Sequence, residues 1–336
     1  MSVSSTFFLG NNCRIRIPYQ VGKYTIQNTI GEGGFAVVAL AEDPQKNKVA
    51  IKIVSREAIQ RFNIMAYIEN ELRLCARFNH PNIVKVYDII YEEDIILIVM
   101  EYLQMGDLQS IIASGIHFSY EDQIRITKEI LSALDYLHTR GISHRDIKLE
   151  NILFDKELHP KLIDFGLSKE GSTELYTYCG TPYYMAPEVI KGGSYDGRVA
   201  DIWSFGVVLH VLSTGTYPWD RNLNDAKLIK MMTAETLEII IEPKGIIGEV
   251  IKRCLNYNPK ERPTSSELLE LIEFGYKGKN ITSKIEFNKK NQGNSFLPKL
   301  SITKSSPMLS MNKDPSLRKM KFNIRPNIAG QFNIRK

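Results

Sequence analysis

A glycine-rich segment near the start of the chain is the first whose composition suggests a chemical role. Residues 31–38 read Gly-Glu-Gly-Gly-Phe-Ala-Val-Val and lie between two apolar segments. Because glycine has no Cβ, its backbone N–H groups can approach a polyphosphate closely. Glycine-rich turns are also common in hairpins, so this segment alone is weak evidence for a nucleotide site.

A lysine in an apolar strand is the second such feature. Lys52 ends the run Val-Ala-Ile-Lys at residues 49–52. An ammonium group in that setting is costly unless an anion meets it. Glu71, on the next predicted helix, and phosphate oxygens are the candidate anions. The alternative is a lysine whose charged end reaches solvent.

Three further motifs follow in a fixed order. Residues 144–151 read His-Arg-Asp-Ile-Lys-Leu-Glu-Asn, residues 164–166 read Asp-Phe-Gly, and residues 186–188 read Ala-Pro-Glu. Chance does not account for all these motifs in this order and spacing. From Tyr24 to Phe274 the chain therefore resembles the eukaryotic protein kinases, which transfer the γ-phosphate of ATP to a protein hydroxyl with the help of Mg²⁺.

This resemblance implies a role for each matched residue. The implied catalytic residues are Lys52, Glu71, Asp146 and Lys148. Asp146 would accept or orient the proton of the substrate hydroxyl, and Lys148 would neutralise the moving phosphoryl group. Asn151 and Asp164 would hold two Mg²⁺ ions.

The resemblance also implies a site for ATP. The implied nucleotide-binding residues are Ile30, Gly31, Glu32, Gly33, Gly34, Phe35, Val38, Ala50, Lys52, Glu101, Leu103, Asp107, Glu150 and Leu153. Val38, Ala50 and Leu153 would sandwich the adenine. The backbone of Glu101 and Leu103 would hydrogen-bond to it.

The same motifs imply a target class. Lys148 together with Gly-Thr-Pro at residues 180–182 is similar to the serine/threonine pattern, and the motifs look most like those of the calcium/calmodulin-dependent and AMP-activated branch. The expected enzyme is a non-specific serine/threonine protein kinase. Asp107 and Glu150 supply carboxylates that can pair with a basic residue three positions before the target Ser or Thr.

Several structural and regulatory contacts are implied as well. Glu188 and Arg262 would form an ion pair, and Asp201 would brace the catalytic loop. A regulatory column would contain four side chains, those of Cys75, Val86, His144 and Phe165.

Arg145 needs an anion, and in kinases of this type the anion is a phosphate on the activation segment. Thr177 is the expected phosphosite, modified by an upstream kinase or by autophosphorylation, and Lys169 would be a second basic contact. Tyr67 replaces a histidine that would be the third contact. The competing sites are Ser172, Thr173 and Tyr176.

The elements that position these residues can be read from periodicity. Alternating apolar residues predict strands over 24–30, 36–42, 48–54, 83–91 and 95–102. Apolar spacings of three and four predict one helix over 58–78, which carries Glu71. Residues 120–140, 201–214, 248–256 and 265–274 read as later helices. The expected fold is α+β and two-lobed, with a small β-rich N-lobe containing one helix and a larger α-helical C-lobe.

The domain organisation is an N-terminal extension over residues 1–23, a protein kinase domain over 24–274 and a tail over 275–336. From Lys277 onward the tail carries 14 Lys and Arg residues against two acids, in a chain of net charge +5. We expect this tail to be disordered. It could bind nucleic acid, anionic lipid or an acidic partner, fold back as an autoinhibitor, or remain a solvated extension.

Apolar stretches are shorter than the roughly 20 residues of a membrane span, and no signal peptide is evident. We therefore expect a cytoplasmic protein, with the nucleus as a second location. One alternative function is an ATP-binding pseudokinase scaffold, which would lack Lys52, Asp146 or Asp164. The other is a small-molecule phosphotransferase of kinase-like fold, which would lack the long segment over 164–188 that docks peptides.

Overall fold

The computed structural model describes residues 3–8, 14–33, 36–172, 174–220 and 222–283. Within these residues the chain forms two compact units. The first, called the β-unit, comprises the described residues up to Met65 together with Val86–Tyr102. The second, called the helical unit, comprises Ala66–Lys85 and the described residues from Leu103 onward.

The β-unit is built on antiparallel strands. In chain order these are β1 (Val3–Phe8), β2 (Arg14–Pro18), β3 (Gln20–Val21), β4 (Tyr24–Glu32), β5 (Ala36–Glu42), β6 (Lys48–Ser55), β7 (Val86–Tyr91) and β8 (Ile95–Glu101). Six of them form one sheet in the order β3-β4-β5-β6-β8-β7, and β1 pairs with β2 in a separate hairpin. A short helix, α1 (Arg56–Phe62), follows β6 directly.

Strand β6 shows how the sheet places a charged residue beside an apolar core. Val49, Ile51 and Ile53 are at most 4 % exposed and belong to the apolar cluster of the β-unit. Ala50 and Lys52 alternate with them. Because successive side chains of a strand point to opposite faces, Lys52 lies on the face opposite that core.

The N-terminal hairpin takes part in the same core. Ile15 and Ile17 of β2 are each 1 % exposed and lie in one cluster with Val37, Ile51 and Leu97. From sequence, residues 1–23 are expected to form an extension because they are polar and weakly patterned. The structure packs part of this extension, since alternate positions of β2 present two isoleucines to the sheet.

The predicted helix over 58–78 is two helices in the structure. Helix α1 ends at Phe62, and a second helix, α2 (Met65–Cys75), begins three residues later. Asn63 caps α1 in the left-handed conformation, with φ of 51°. Asparagine tolerates this conformation better than other non-glycine residues, so the chain turns here although the apolar spacing continues.

The helical unit contains the remaining elements. After α2 these are β9 (Gly106–Asp107), α3 (Leu108–Ala113), α4 (Tyr120–His138), β10 (Ile142–Ser143), β11 (Ile152–Phe154), β12 (Pro160–Leu162), β13 (Lys169–Glu170), α5 (Pro187–Lys191), α6 (Gly197–Thr214), α7 (Asp225–Thr233), α8 (Gly245–Cys254) and α9 (Ser265–Ser283). Strands β9, β11 and β12 form one small sheet, and β10 pairs with β13. These short strands fix the ends of the loops that carry the chemistry-bearing motifs.

Helix α6 is the buried centre of the helical unit. It is apolar on nearly every side, and 13 of its 18 residues are buried, Trp203 and Phe205 among them. Such a composition suits a helix that is surrounded by other elements, and here α4 and α8 pack against it. The helix begins after the cap Asp196 and ends at Thr214, where Gly215, with a φ of 75°, is the C-terminal cap. It carries Asp201 into the interior.

The β-rich first unit and the larger helical second unit confirm the predicted α+β class. Helix α9 continues to Ser283, past the predicted domain end at residue 274. Residues 284–336 lie outside the described residues, so the disordered tail stays a prediction. Among the described helices, none has both the length and the apolar composition needed to span a membrane.

Replacing Ile17 by alanine tests whether the N-terminal hairpin belongs to the β-unit core. We expect the free energy of unfolding to fall by about 2–5 kcal/mol, because the buried side chain leaves a cavity. Urea denaturation of the full chain measures this change. Tyr19→Ala is the control, since Tyr19 is 54 % exposed. Equal stability of the two variants would show that the hairpin is only an appendage.

Candidate active site

The catalytic loop, residues 144–151, gathers polar side chains around the carboxylate of Asp146. Its Oδ2 accepts hydrogen bonds from Lys148 Nζ at 2.6 Å and from Asn151 Nδ2 at 3.0 Å. Its Oδ1 accepts from Thr181 Oγ1 at 3.3 Å. The structure therefore brings together three of the predicted site residues and adds Thr181, which entered the prediction only as a motif position.

Lys148 keeps its positive charge in this cluster. Burial lowers the pKa of its ammonium group, but the carboxylates of Asp146, Glu150 and Asp164 outweigh that effect, so the pKa is raised above its ordinary value. The Nζ also donates to Thr181 Oγ1 at 3.3 Å. A fixed cation thus stands beside Asp146 at neutral pH.

Asp201, on the buried helix α6, holds the backbone of the catalytic loop. Its two carboxylate oxygens accept the backbone N–H groups of His144 and Arg145, each at 2.7 Å. Arg145 adopts a left-handed conformation, with φ of 70°, which is unfavourable for a residue with a side chain. The two charge-assisted hydrogen bonds stabilise this conformation, as the predicted bracing role requires.

The Asp-Phe-Gly motif is anchored through its phenylalanine. Phe165 is fully buried, and its ring lies 4.9 Å from that of His144 and 4.7 Å from that of Phe78, measured between centroids. His144 was a predicted neighbour, whereas Phe78 was not. Asp164 itself has a φ of 63°, so both chemistry-bearing loops contain a left-handed non-glycine residue. Such residues cluster at functional sites.

The Ala-Pro-Glu motif forms the predicted ion pair. Arg262 Nη1 lies 2.5 Å from Glu188 Oε1, and Nη2 lies 2.7 Å from Oε2. The arginine side chain is 0 % exposed and also donates to the Asn256 carbonyl at 2.7 Å. The prediction is confirmed. A bidentate, fully hydrogen-bonded pair is the arrangement in which a buried charge is tolerated.

The β-unit aligns several of the predicted nucleotide-binding residues across three strands. Gly31 of β4 lies opposite Val38 of β5, which lies opposite Lys52 of β6. The turn after β4 is closed by a hydrogen bond from the Gly33 N–H to the Ala36 carbonyl at 2.8 Å. Ile30, Glu32, Ala50 and Glu101 lie on the same three strands or on β8. Gly34 and Phe35 lie outside the described residues.

In the helical unit, Asp107 and Leu153 lie opposite each other where β9 pairs with β11. The Asp107 carboxylate caps α3, accepting from the N–H of Ser110 at 2.8 Å and from its hydroxyl at 2.7 Å. Leu103, another predicted contact, is 7 % exposed. Glu71 also belongs to the helical unit and is 5 % exposed on α2.

Glu150 is the predicted site residue with the most unusual environment. Burial raises the pKa of its carboxyl, and the charges of Asp146 and Asp107 add to this effect while Lys148 opposes it. Its Oε2 is buried and has no hydrogen-bond partner among the described residues. A buried acceptor without a donor is unfavourable. An unpaired oxygen of this kind is typical of a site where a bound ligand supplies the donor.

Comparison with known proteins agrees with this geometry. The family model described as "Protein kinase domain" matches residues 24–271. CBL-interacting protein kinase 31 of Oryza sativa subsp. japonica is 37% identical over 279 residues, which cover 81% of this chain and 62% of the relative.

Two further relatives are similar to the same part of the chain. Serine/threonine-protein kinase SIK1 of Rattus norvegicus is 41% identical over 254 residues, covering 75% of this chain and 32% of the relative. CBL-interacting serine/threonine-protein kinase 3 of Arabidopsis thaliana is 36% identical over 267 residues, covering 77% of this chain and 60% of the relative.

The chain belongs to the protein kinase family. These relatives are members of the calcium/calmodulin-dependent and AMP-activated branch, as the motifs predicted. The chain spans less than two thirds of the length of these CBL-interacting relatives. The roles of the individual site residues, and the domain boundaries, stay predictions.

The activation segment of this kinase domain is tied to the catalytic loop by Arg145. Its guanidinium Nη2 donates to the Thr177 carbonyl at 3.3 Å, to Cys179 Sγ at 2.7 Å and to the Tyr195 hydroxyl at 3.0 Å. Tyr195 in turn donates to the same Thr177 carbonyl at 2.7 Å. The contacts of Cys179 and Tyr195 with Arg145 could not be predicted from the sequence, because position along the chain does not show which side chains meet.

Glycine is required at one point of this segment. Gly180 has a φ of 111°, and a Cβ added there would lie 3.1 Å from the Arg145 carbonyl. The absence of a side chain lets the segment pass close to the catalytic loop and bring Thr181 to Asp146. Thr177 itself is exposed, as is Lys169 on β13. Thr173 lies outside the described residues.

Removing one partner of the buried ion pair tests how much it stabilises the kinase domain. We expect Arg262→Met to lower the free energy of unfolding by about 3–5 kcal/mol, because Glu188 is left as an unpaired, largely buried charge. The double variant Glu188→Gln, Arg262→Met should recover part of this loss. Denaturant unfolding measures both.

The matched control for this prediction is Arg253→Met. Arg253 pairs with Glu249 at 2.7 Å, but the two side chains are 49% and 42% exposed. Such a pair contributes about 0–1 kcal/mol. An equal loss in Arg253→Met and Arg262→Met would contradict the assigned role of burial.

Proposed function

We propose that this chain is a serine/threonine protein kinase that transfers the γ-phosphate of ATP to Ser and Thr hydroxyls of proteins. The observation that carries the proposal is the cluster of Asp146, Lys148, Asn151 and Thr181, in which one carboxylate is held by an ammonium, an amide and a hydroxyl. Phosphoryl transfer requires mainly positioning and charge neutralisation, and these groups supply both.

Within this cluster each residue has a distinct task. Asp146 accepts or orients the proton of the substrate hydroxyl while the hydroxyl oxygen forms its bond to the γ-phosphorus. Lys148 offsets the charge on the phosphoryl oxygens as the bond to the β-phosphate oxygen breaks. Thr181 contacts both Asp146 and Lys148, so it fixes their relative position. Asp201 holds the loop itself.

The residues of the helical unit fit magnesium chemistry. Asn151 donates through its Nδ2 to the carbonyl and carboxylate of Asp146, at 2.8 and 3.0 Å. Its amide oxygen would therefore be the atom that holds a metal ion. Asp164 supplies a carboxylate. Oxygen donors of this kind suit Mg²⁺, which usually takes one or two protein ligands together with phosphates and water. When bound, Mg²⁺ neutralises the phosphate charge.

We assign nucleotide binding in the β-unit to Gly31, Gly33, Val38, Ala50 and Lys52, with the other predicted residues of β4 and β8. The support is the register that aligns Gly31, Val38 and Lys52. The pseudokinase alternative is disfavoured because the chain retains Lys52, Asp146 and Asp164.

We further propose that the substrates carry a basic residue three positions before the target. Glu150 supports this assignment, since its buried Oε2 has no hydrogen-bond partner among the described residues and a guanidinium would donate to it. Two of the three relatives are named as serine/threonine kinases. Two of the three are named as CBL-interacting. A partner of that kind, and an upstream activating kinase, remain proposals for this chain.

We also infer that phosphorylation of Thr177 raises activity. Arg145 already contacts the backbone of Thr177, and its Nε is buried without a hydrogen-bond partner in the described part of the chain. A phosphate on the exposed Thr177 hydroxyl would add about −1.5 to −2 charges near this guanidinium. New charge-assisted hydrogen bonds would then order the segment.

The first test of the proposed function is to replace Asp146, the residue assigned to the proton of the substrate hydroxyl. We expect Asp146→Asn to lower kcat for a Ser-containing peptide by about 10²–10⁴-fold, because the amide cannot accept the hydroxyl proton. Lys52→Met should also abolish most of the activity. Thermal unfolding checks that both variants fold.

Asp94→Asn is the matched control, because Asp94 is exposed in the turn before β8. It should leave the turnover unchanged. Near-normal turnover by Asp146→Asn would exclude the assigned role, and an inactive wild-type chain with Mg²⁺ and ATP would overturn the proposed function.

Glu150 generates a prediction about specificity and pH. We expect a peptide with Arg at the third position before Ser to have a lower KM than its Ala analogue, and Glu150→Gln should remove most of that difference. Because the pKa of Glu150 is raised, the carboxylate protonates as the pH falls through that raised value. The difference in KM between the Arg and Ala peptides should therefore be complete at pH values above this pKa and should decrease at pH values below it.

The measurement is KM for both peptides across the pH range over which the enzyme stays folded. Glu69→Gln, at an exposed position of α2, is the control and should retain the wild-type profile. Selection for proline or for acidic residues on a peptide array would contradict the assigned role of Glu150.

A further inference from the structure

Helix α2 contacts the chain immediately after the Asp-Phe-Gly motif through a connected set of polar side chains. We call this set the α2 anchor; it consists of Asn70, Arg73, Arg77 and Glu170. Three of its members lie on α2 or in the turn that follows, and Glu170 lies on β13. All four belong to the helical unit.

Asn70 is the centre of the α2 anchor. Its side-chain amide donates to the Ser168 carbonyl at 2.7 Å and to the Phe165 carbonyl at 3.3 Å. Its Oδ1 accepts from Arg73 Nη2 at 3.2 Å. The arginine contact fixes which way the Asn70 amide faces, because the amide oxygen can accept a hydrogen bond from a guanidinium and the amide NH2 group cannot. One side chain of α2 thus holds the backbone on both sides of Gly166.

Glu170 connects the two arginines to the segment. Arg73 Nη1 hydrogen-bonds to its Oε2, and Arg77 Nη1 lies 3.0 Å from its Oε1. Hydrogen bonds from Arg73 and Arg77 hold the pKa of Glu170 below its ordinary value, so the carboxylate is charged at neutral pH. These side chains are partly exposed, and an exposed ion pair by itself contributes little. The ion pair between Arg73 and Glu170 matters here because it orients Arg73 toward Asn70.

The segment held by the α2 anchor also touches the catalytic loop. Strand β13 pairs with β10, with Glu170 opposite Ile142. The hydroxyl of Ser168 donates to the carbonyl of His144 at 3.3 Å. The chain from Asp164 to Glu170 is therefore fixed on one side to the helix that carries Glu71 and on the other to the loop that carries Asp146.

From this geometry we propose that Asn70 is a positioning residue, oriented by Arg73 and Glu170, that holds the Asp164 segment in its catalytic place without a phosphate. The inference rests on the proposed kinase function. Glu170 supplies a negative charge for Arg73 on α2 and for Arg77 in the turn that follows it. Tyr67, by contrast, stands where the resemblance implies a histidine that would contact phosphorylated Thr177. The coupling of α2 to the segment is then independent of Thr177.

Substitutions in the α2 anchor test this proposal. We expect Asn70→Ala and Glu170→Gln each to lower kcat about tenfold while KM for the peptide stays nearly constant, because the change misplaces Asp164 and leaves the peptide contacts intact. Glu170→Asp should retain most of the activity, since it keeps the charge. Glu69→Gln, on the same helix, is the matched control and should behave as wild type.

A second readout does not depend on turnover. Amide hydrogen exchange over residues 165–171 should be faster in Asn70→Ala and in Glu170→Gln than in wild type and Glu69→Gln, because the segment loses its contact with α2. Unchanged exchange together with unchanged kcat would overturn the proposal. If the wild-type chain transfers no phosphate, the proposed function fails and hydrogen exchange alone decides on the α2 anchor.

The Thr177→Ala background separates the α2 anchor from phosphorylation. We expect Thr177→Ala to have reduced but measurable activity, and Glu170→Gln to reduce that residual activity by the same factor as in the wild-type background. An effect of Glu170→Gln that disappears in Thr177→Ala would show that the coupling requires the phosphate, and the proposal would be wrong.

Discussion

The carboxylate of Asp201 is the constraint on which the catalytic loop depends. It lies on the most buried helix of the helical unit and accepts the N–H groups of His144 and Arg145, each at 2.7 Å. Arg145 adopts a left-handed conformation that its side chain disfavours. A fixed anion inside the protein can hold such a conformation because charge-assisted hydrogen bonds gain strength where water is excluded. Asp146 follows directly in the chain and takes its place from this backbone.

The charges around Asp146 follow from that placement. Burial alone would lower the pKa of Lys148, yet the carboxylates around its ammonium group keep that pKa above the ordinary value. Glu150 experiences the opposite balance, because burial and neighbouring acids outweigh the attraction of Lys148. The raised pKa values therefore favour the charged form of Lys148 and the neutral form of Glu150, although the two residues are only two positions apart. Such differences in environment are typical of sites that bind and transfer charged groups.

Much of the fold could be predicted from local pattern, and each failure has an identifiable physical cause. Lys52 was placed correctly on a strand of alternating apolar residues. The single helix predicted over 58–78 is divided at Asn63, whose left-handed conformation leaves no trace in the apolar spacing. Ile15 and Ile17 are buried because a sheet elsewhere in the chain offers them an apolar face. Two isoleucines among polar residues do not reveal that face.

The sequence by itself determined the family and the chemical types at the site, since motifs such as Asp-Phe-Gly state which groups are present and in what order. Only the tertiary structure decided which side chains meet. Phe78, Asn70 and Tyr195 lie far in sequence from Phe165, Ser168 and Arg145, yet they contact them. The reason is physical: a motif is defined by neighbours along the chain, whereas hydrogen bonds and packing join residues that folding brings together.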